Sequence, residues 1–144
     1  MEDNEKRAFD LVEITAEKGV IGIDLLSLGL TSLPTNIEKL TDIDWMVAAN
    51  NSLTSLPPEI AALVNIKQLD LSNNQINFLP PEIGQLSKLT LLDLSHNNLN
   101  ALPIEIQQLA NLGILNLTDN PLHIPPEIIS KVNQPEIIFN YYFS

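Results

Sequence analysis

The stretch Leu89-Thr90-Leu91-Leu92-Asp93-Leu94-Ser95-His96-Asn97-Asn98-Leu99-Asn100-Ala101-Leu102-Pro103 decides the fold. Leu92 and Leu94 are apolar at a spacing of two, the period of a short strand with one buried face. Asn97 and Leu99 follow, and the chain then reaches a Leu-Pro pair. That pair also stands at Leu33-Pro34, Leu56-Pro57 and Leu79-Pro80, 23 residues apart each time, and Ile124-Pro125 comes 22 residues after Leu102-Pro103. Internal periods of this length are the mark of stacked repeats. The strand block recurs in step: Ile66, Leu69, Leu71, Asn74 and Ile76 in one copy, Leu112, Leu115, Leu117, Asn120 and Leu122 in another. Ile43, Met46, Ala48, Asn51 and Leu53 form a third, weak at Ala48. The first copy, Val20, Ile23, Leu25, Leu28 and Leu30, has Leu28 in place of the asparagine.

Beyond each proline comes a second pattern. Ile37, Ile60, Ile83, Ile106 and Ile128 lie three residues on, and Leu40, Leu63, Leu86 and Leu109 three further; the last copy has Lys131 there. Apolar residues at a spacing of three predict a short helical segment. Proline suits the first helical position. Glu59, Glu82, Glu105 and Glu127 place a carboxylate in the first turn, where the helix dipole favours it. Each repeat is therefore a strand, a turn and a helical or 3-10 segment. One repeat cannot bury its apolar face alone; five stacked can. Strands stack more narrowly than helical turns, so the sheet should line the concave side. Asn51, Asn74, Asn97 and Asn120 carry both donor and acceptor groups and are read as a buried ladder where each strand turns away.

These residues resemble the leucine-rich repeat family over residues 20–131. The Leu-Pro-x-x-Ile spacing is similar to its intracellular, Ras-group type. The resemblance implies an α/β solenoid, a curved right-handed superhelix with a parallel sheet inside, short helical or 3-10 segments outside and a capping helix at the N-terminus. It also implies a protein-binding module without catalysis. The helical start and the Pro135-Glu136-Ile137-Ile138-Phe139-Asn140-Tyr141-Tyr142 ending resemble the repeat regions of Roc–COR proteins. No phosphate loop of the Gly-x-x-x-x-Gly-Lys type is present, so no GTPase carries over.

The chain divides on this reading into an N-terminal cap helix (1–19), about five repeats (20–124) and a C-terminal cap (125–144), together one domain. In the first part Ala8, Leu11, Val12 and Thr15 form a stripe at helical spacing, while Glu5, Lys6, Asp10, Glu13 and Glu17 should face solvent. Asp3 or Asn4 suits the N-cap and Gly19 the C-cap. At the other end Ile137, Ile138, Phe139, Tyr141, Tyr142 and Phe143 follow almost without polar relief. They must bury, either under the fifth repeat or against a second copy of the chain or a further domain.

Composition narrows the function. At 144 residues and 44% hydrophobic the chain can build one sizeable core. Its formal net charge of −11 opposes binding to nucleic acid or to anionic lipid. The absence of cysteine removes disulfides, thiolate metal sites and a cysteine nucleophile. Met1 to Lys6 are polar and form no apolar leader. A cytoplasmic protein is the expectation. His96 and His123, the two histidines, lack partners spaced for a metal, and both should be solvated. No nucleophile elbow or paired-carboxylate pattern appears. No catalytic residue, metal or cofactor is expected.

The strand register predicts which side chains stand on the open sheet face. One column runs Gly22, Trp45, Gln68, Leu91, Ile114. The next runs Asp24, Val47, Asp70, Asp93, Asn116, and the third Leu26, Ala49, Ser72, Ser95, Thr118. Trp45, Leu91 and Ile114 are unusual for a surface. Asp24, Asp70 and Asp93 run beside them. The expectation is a protein or peptide partner with apolar anchors and Lys or Arg, bound by Trp45, Leu91, Ile114, Asp24, Val47, Gln68, Asp70 and Asp93. The competing reading folds Trp45 sideways against Leu26, Val47 and the first repeat. A structural or self-associating unit that uses the aromatic C-terminus is the alternative function.

Overall fold

The computed structural model describes residues 3–144. Five three-residue strands form one parallel sheet in chain order: β1 (Gly22–Asp24), β2 (Trp45–Val47), β3 (Gln68–Asp70), β4 (Leu91–Asp93) and β5 (Ile114–Asn116). Every pairing is in the register of the 23-residue repeat: Gly22, Trp45, Gln68, Leu91 and Ile114 are successive partners. Four 3-10 segments lie on the far side, at Ile37–Lys39, Pro58–Ala62, Pro81–Gln85 and Ile104–Gln108. In the fifth repeat that place is taken by one α-helical turn, α2 (Pro126–Ile129). The tight 3-10 winding follows from the sequence. Only five residues separate the Leu-Pro pair from the next buried leucine, too few for a full two-turn helix.

The core is a continuous stack between sheet and 3-10 segments. Leu69, Leu71, Ile76, Ile83, Leu86, Leu89, Leu92, Leu94 and Ile106 are fully buried. Each is a position that repeats in the sequence, so the apolar surface of one repeat is covered by the next.

The asparagine row is the polar part of that stack. Asn74 Oδ1 accepts the Leu53 N–H at 3.0 Å, and its Nδ2 donates to the carbonyls of Ala48, Leu71 and Ser72. Asn97 repeats the pattern on Ile76, Leu71, Leu94 and Ser95. Asn120 does so on Leu99, Leu94, Leu117 and Thr118. Asn51 serves the first repeat, which lacks its own asparagine. Its Oδ1 accepts both the Leu28 and the Leu30 N–H at 3.0 Å. Each asparagine thus satisfies backbone groups of the preceding turn that could not otherwise be buried.

Just before each asparagine position the chain enters the left-handed region, at Ser27, Asn50, Asn73, His96 and Asp119, with φ near +55° in all five. Asn, Asp and His tolerate this conformation better than most residues. The sequence reading overlooked this row, although Asn50, Asn73 and Asp119 at one period were its signal.

Helix α1 (Asp3–Lys18) covers the first repeat with Ala8, Val12 and Thr15 buried. It takes in both Asp3 and Asn4, the expected caps, and what precedes it lies outside the described residues. Gly19 ends it at φ +63°. Glu13, expected on the solvent side, is instead a tether. Its carboxylate accepts from Lys39 Nζ at 2.8 Å and from Asn36 Nδ2 at 2.8 Å. The Lys39 hydrogen bond, then that from Asn36, holds the Glu13 carboxyl below the usual range. Helical spacing alone could not show that the first 3-10 segment reaches back to this face.

Helix α3 (Pro135–Tyr142) closes the other end, with Pro135, Ile138 and Phe139 buried. Val132 offers its carbonyl to the Leu115 N–H at 2.8 Å, which occupies the outer edge of β5. Tyr142 Oη accepts the Leu102 N–H at 3.0 Å. Phe143 meets Tyr142 edge-on, with ring centroids 4.8 Å apart. The aromatic run is therefore largely spent on the chain's own last repeats, and Tyr141, 45% exposed, is its most open part.

The open sheet face as candidate functional site

Strand alternation puts Ile23, Met46, Leu69, Leu92 and Leu115 into the core and their neighbours onto the open face. All eight residues expected to bind a partner stand on that face, in two adjacent columns. Their exposure differs. Asp24, Gln68 and Ile114 are exposed, Ile114 at 39%, whereas Trp45, Val47, Asp70, Leu91 and Asp93 are half-buried.

Trp45 does not point at Leu91 and Ile114. It lies back over β1: a Cβ built on Gly22 would collide with the six-membered and pyrrole rings of the indole. This corrects the expectation of an outward tryptophan and puts its ring on the first strand. Gly22, its cross-strand partner, carries no side chain and so leaves the seat empty. The sequence placed Gly22 in the column but did not show that its missing side chain sets the rotamer of its neighbour.

Laying the indole toward β1 leaves room beside it. A shallow hollow of about 290 Å³ opens between Trp45, Val47, Gln68, Asp70, Leu91 and Asp93. Ile114 and Asp24 lie outside it, one at each end of the sheet, so the structure gathers six of the eight residues.

The aspartates have a double use. Asp70 Oδ1 accepts the Ser72 N–H at 2.9 Å and the Ser72 hydroxyl at 2.7 Å. Asp93 does the same with Ser95, at 3.0 and 2.7 Å. Asn116 and Thr118 repeat the motif, and Asp24 caps the Leu26 N–H. These bonds hold the turn after each strand and engage one carboxylate oxygen. Among the described residues neither Asp70 nor Asp93 has an ion pair. Lys67, just before β3 and three residues from Asp70, is paired with Asp44 at 3.6 Å. Asp70 and Asp93 are direct partners across parallel strands, whose backbones lie ~4.8 Å apart. Two negative charges are therefore held close without a cation between them.

The remaining candidates fall elsewhere. His96 and His123 are both exposed, as expected, and His96 Nδ1 lies 2.9 Å from Asp119 Oδ2. Among the described residues no group of three His, Asp or Glu is gathered as metal ligands, and no helix is long and apolar enough to cross a membrane.

A family model described as leucine rich repeat matches residues 44–99 and 65–122, more than half of the chain. The chain belongs to the leucine-rich repeat family. Among solved structures, this leucine-rich repeat chain is similar to a leucine-rich repeat protein of Leptospira interrogans. The two share 43% identity at a TM-score of 0.65, over 76% of this chain and 26% of that one. It is also similar to the plant peptide hormone receptor RGFR1, solved in complex with RGF2, at 29% identity and a TM-score of 0.57. That match covers 63% of this chain and 15% of the receptor. The chain thus spans about a quarter of the Leptospira protein and less of the receptor. No curated protein matches its sequence. Repeats of this family are commonly binding modules, which agrees with an open face of varied side chains on a uniform core.

Proposed function

We propose that the chain is a non-catalytic protein-interaction module that binds a polypeptide segment on its open sheet face. One observation carries this reading: an apolar hollow walled by Trp45, Val47 and Leu91 adjoins two neighbouring carboxylates, Asp70 and Asp93, that have no cation. A Lys or Arg side chain fits both parts. Its aliphatic stem would lie on Trp45 and Leu91, and its head would sit between the carboxylates. Ile114 and Asp24 would extend the contact toward the two ends of the sheet, with Gln68 supplying a hydrogen bond at the centre. An extended segment suits a face only three residues deep per strand. The similarity to a receptor solved with a peptide hormone supports the class of partner. A cytoplasmic setting fits the lack of cysteine.

The test is capture from the source cell's lysate with the wild type and with Trp45→Ala/Leu91→Ser, both first checked for folding by circular dichroism. A protein retained only by the wild type supports the reading. Identical captures would remove the sheet face as the site.

A further inference from the structure

The flank between the asparagine ladder and the 3-10 segments carries a second surface, separate from the sheet face. Two positions there repeat with the Leu-Pro pair. The residue two before each proline is Ser32, Ser55, Phe78, Ala101 or His123; the residue just after it is Thr35, Pro58, Pro81, Ile104 or Pro126. A solvated flank calls for small polar residues, and Ser32, Ser55 and Thr35 provide them. The third and fourth repeats depart. Phe78 is 58% exposed and Ile104 66% exposed, and Pro81 and Ala101 are exposed with them.

These four residues form one patch. The Asn100 N–H donates to the Asn77 carbonyl at 3.4 Å, so the backbones leading into Ala101 and Phe78 run side by side. The segments opened by Pro81 and Ile104 stack so closely that a Cβ on Gly84 would collide with the Glu105 carbonyl. The bond from Leu102 to Tyr142 brings the aromatic end of α3 to the same flank. Scattered apolar side chains on a surface carry no message, but a contiguous group does.

A charged border lies along the patch. Glu59, Glu82, Glu105 and Glu127 are the second residue after Pro57, Pro80, Pro103 and Pro125. The helix dipole accounts for a carboxylate in each first turn. It does not neutralise them, and among the described residues none of the four has an ion pair. We infer that this flank docks a protein segment that presents apolar side chains to Phe78 and Ile104 and Lys or Arg to the glutamate row. A second copy of the chain is the wrong occupant: two flanks face to face would oppose their glutamates in a protein already at −11. The same row repels anionic lipid and nucleic acid.

The test uses the intact chain, isotope-labelled for amide NMR and titrated with a helical peptide that has one leucine face and one lysine face. The same peptide with Glu for Lys, or with Ser for Leu, is the control. Amide shifts should concentrate at 78–82 and 101–105. Affinity should fall about tenfold in Phe78→Ser/Ile104→Ser and clearly in Glu82→Gln/Glu105→Gln, with unchanged circular dichroism. All four side chains reach solvent, and none lies on the sheet face. Equal affinity in the variants, equal binding of the glutamate peptide, or shifts confined to the sheet face would overturn the inference. So would a concentration-dependent rise in mass that Phe78→Ser/Ile104→Ser abolishes, because the flank would then join two copies. Shifts confined to the sheet face would favour the sheet-face reading instead; the other results leave that reading untouched, and Trp45→Ala/Leu91→Ser tests it separately.

Discussion

Two rows of side chains run the length of the molecule at the same period. The ladder row is Asn51, Asn74, Asn97 and Asn120, four identical residues, each bonded to the backbone of the repeat before it. The sheet-face row is Gly22, Trp45, Gln68, Leu91 and Ile114, five different residues in equivalent places. A position becomes uniform where its neighbour is always the same turn of the next repeat. It varies where the fold asks nothing of it, and there the chain is free to shape a surface for something else.

Five substitutions would break or sharpen this contrast. The largest effect belongs to the core beneath both rows. Leu94→Asp removes a fully buried side chain and leaves a charge unpaired, at least about 5 kcal/mol of destabilisation. That is enough to unfold a domain of ordinary stability, and circular dichroism should show loss of folded structure. Next comes the ladder. Asn74→Ala strands the Leu53 N–H and takes one donor from three carbonyls that keep bonds to Asn51, Asn97 and the Asn50 N–H, and should lower stability by about 2 kcal/mol in urea unfolding. Gln68→Ala, on the free row, should stay within about 0.5 kcal/mol. Equal losses at the two sites would erase the distinction between the rows.

A further substitution probes how the face is shaped. Gly22→Ala puts a methyl group where the Trp45 indole rests, so the ring must leave β1. Its fluorescence should shift to the red while stability changes by no more than about 1 kcal/mol. An unshifted spectrum would mean that the indole does not rest on Gly22. The smallest effect is at the cap. Glu13 has its folded-state pKa lowered by Lys39 and Asn36, so its stabilising contribution is present above the ordinary carboxylate pKa and fades as pH falls through the lowered value. Both ion-pair partners are substantially solvated, so the effect is modest. Glu13→Gln should flatten that part of the acid dependence of the melting temperature, and a parallel pH profile would refute the tether.

The fold was legible because its determinants repeat. Strand register, core positions and the asparagine ladder all follow from the 23-residue spacing, since each contact is with the equivalent residue one repeat away. The non-repeating contacts were not legible. Glu13 finds Asn36 and Lys39 across 23 and 26 residues in an element of another kind. Tyr142 finds Leu102 across 40. The composition of the candidate site could be read from alternation alone, but its shape could not. The direction of Trp45 depends on a side chain that Gly22 lacks, and the bonds from Ser72 and Ser95 that engage one oxygen each of Asp70 and Asp93 depend on the turns after the strands. The Asp-x-Ser turns show how a recurring structural motif can coincide with a charged surface: one oxygen holds the turn and the other remains available.

The most direct measurement is a selection of random displayed peptides on the folded wild-type chain, with counter-selection against Trp45→Ala/Leu91→Ser/Asp93→Asn. The expected result is enrichment of extended sequences in which Arg or Lys adjoins an apolar residue, with binding lost on the triple variant. Peptides that hold the triple variant as tightly as the wild type, or that carry no cationic residue, would contradict binding at the sheet face.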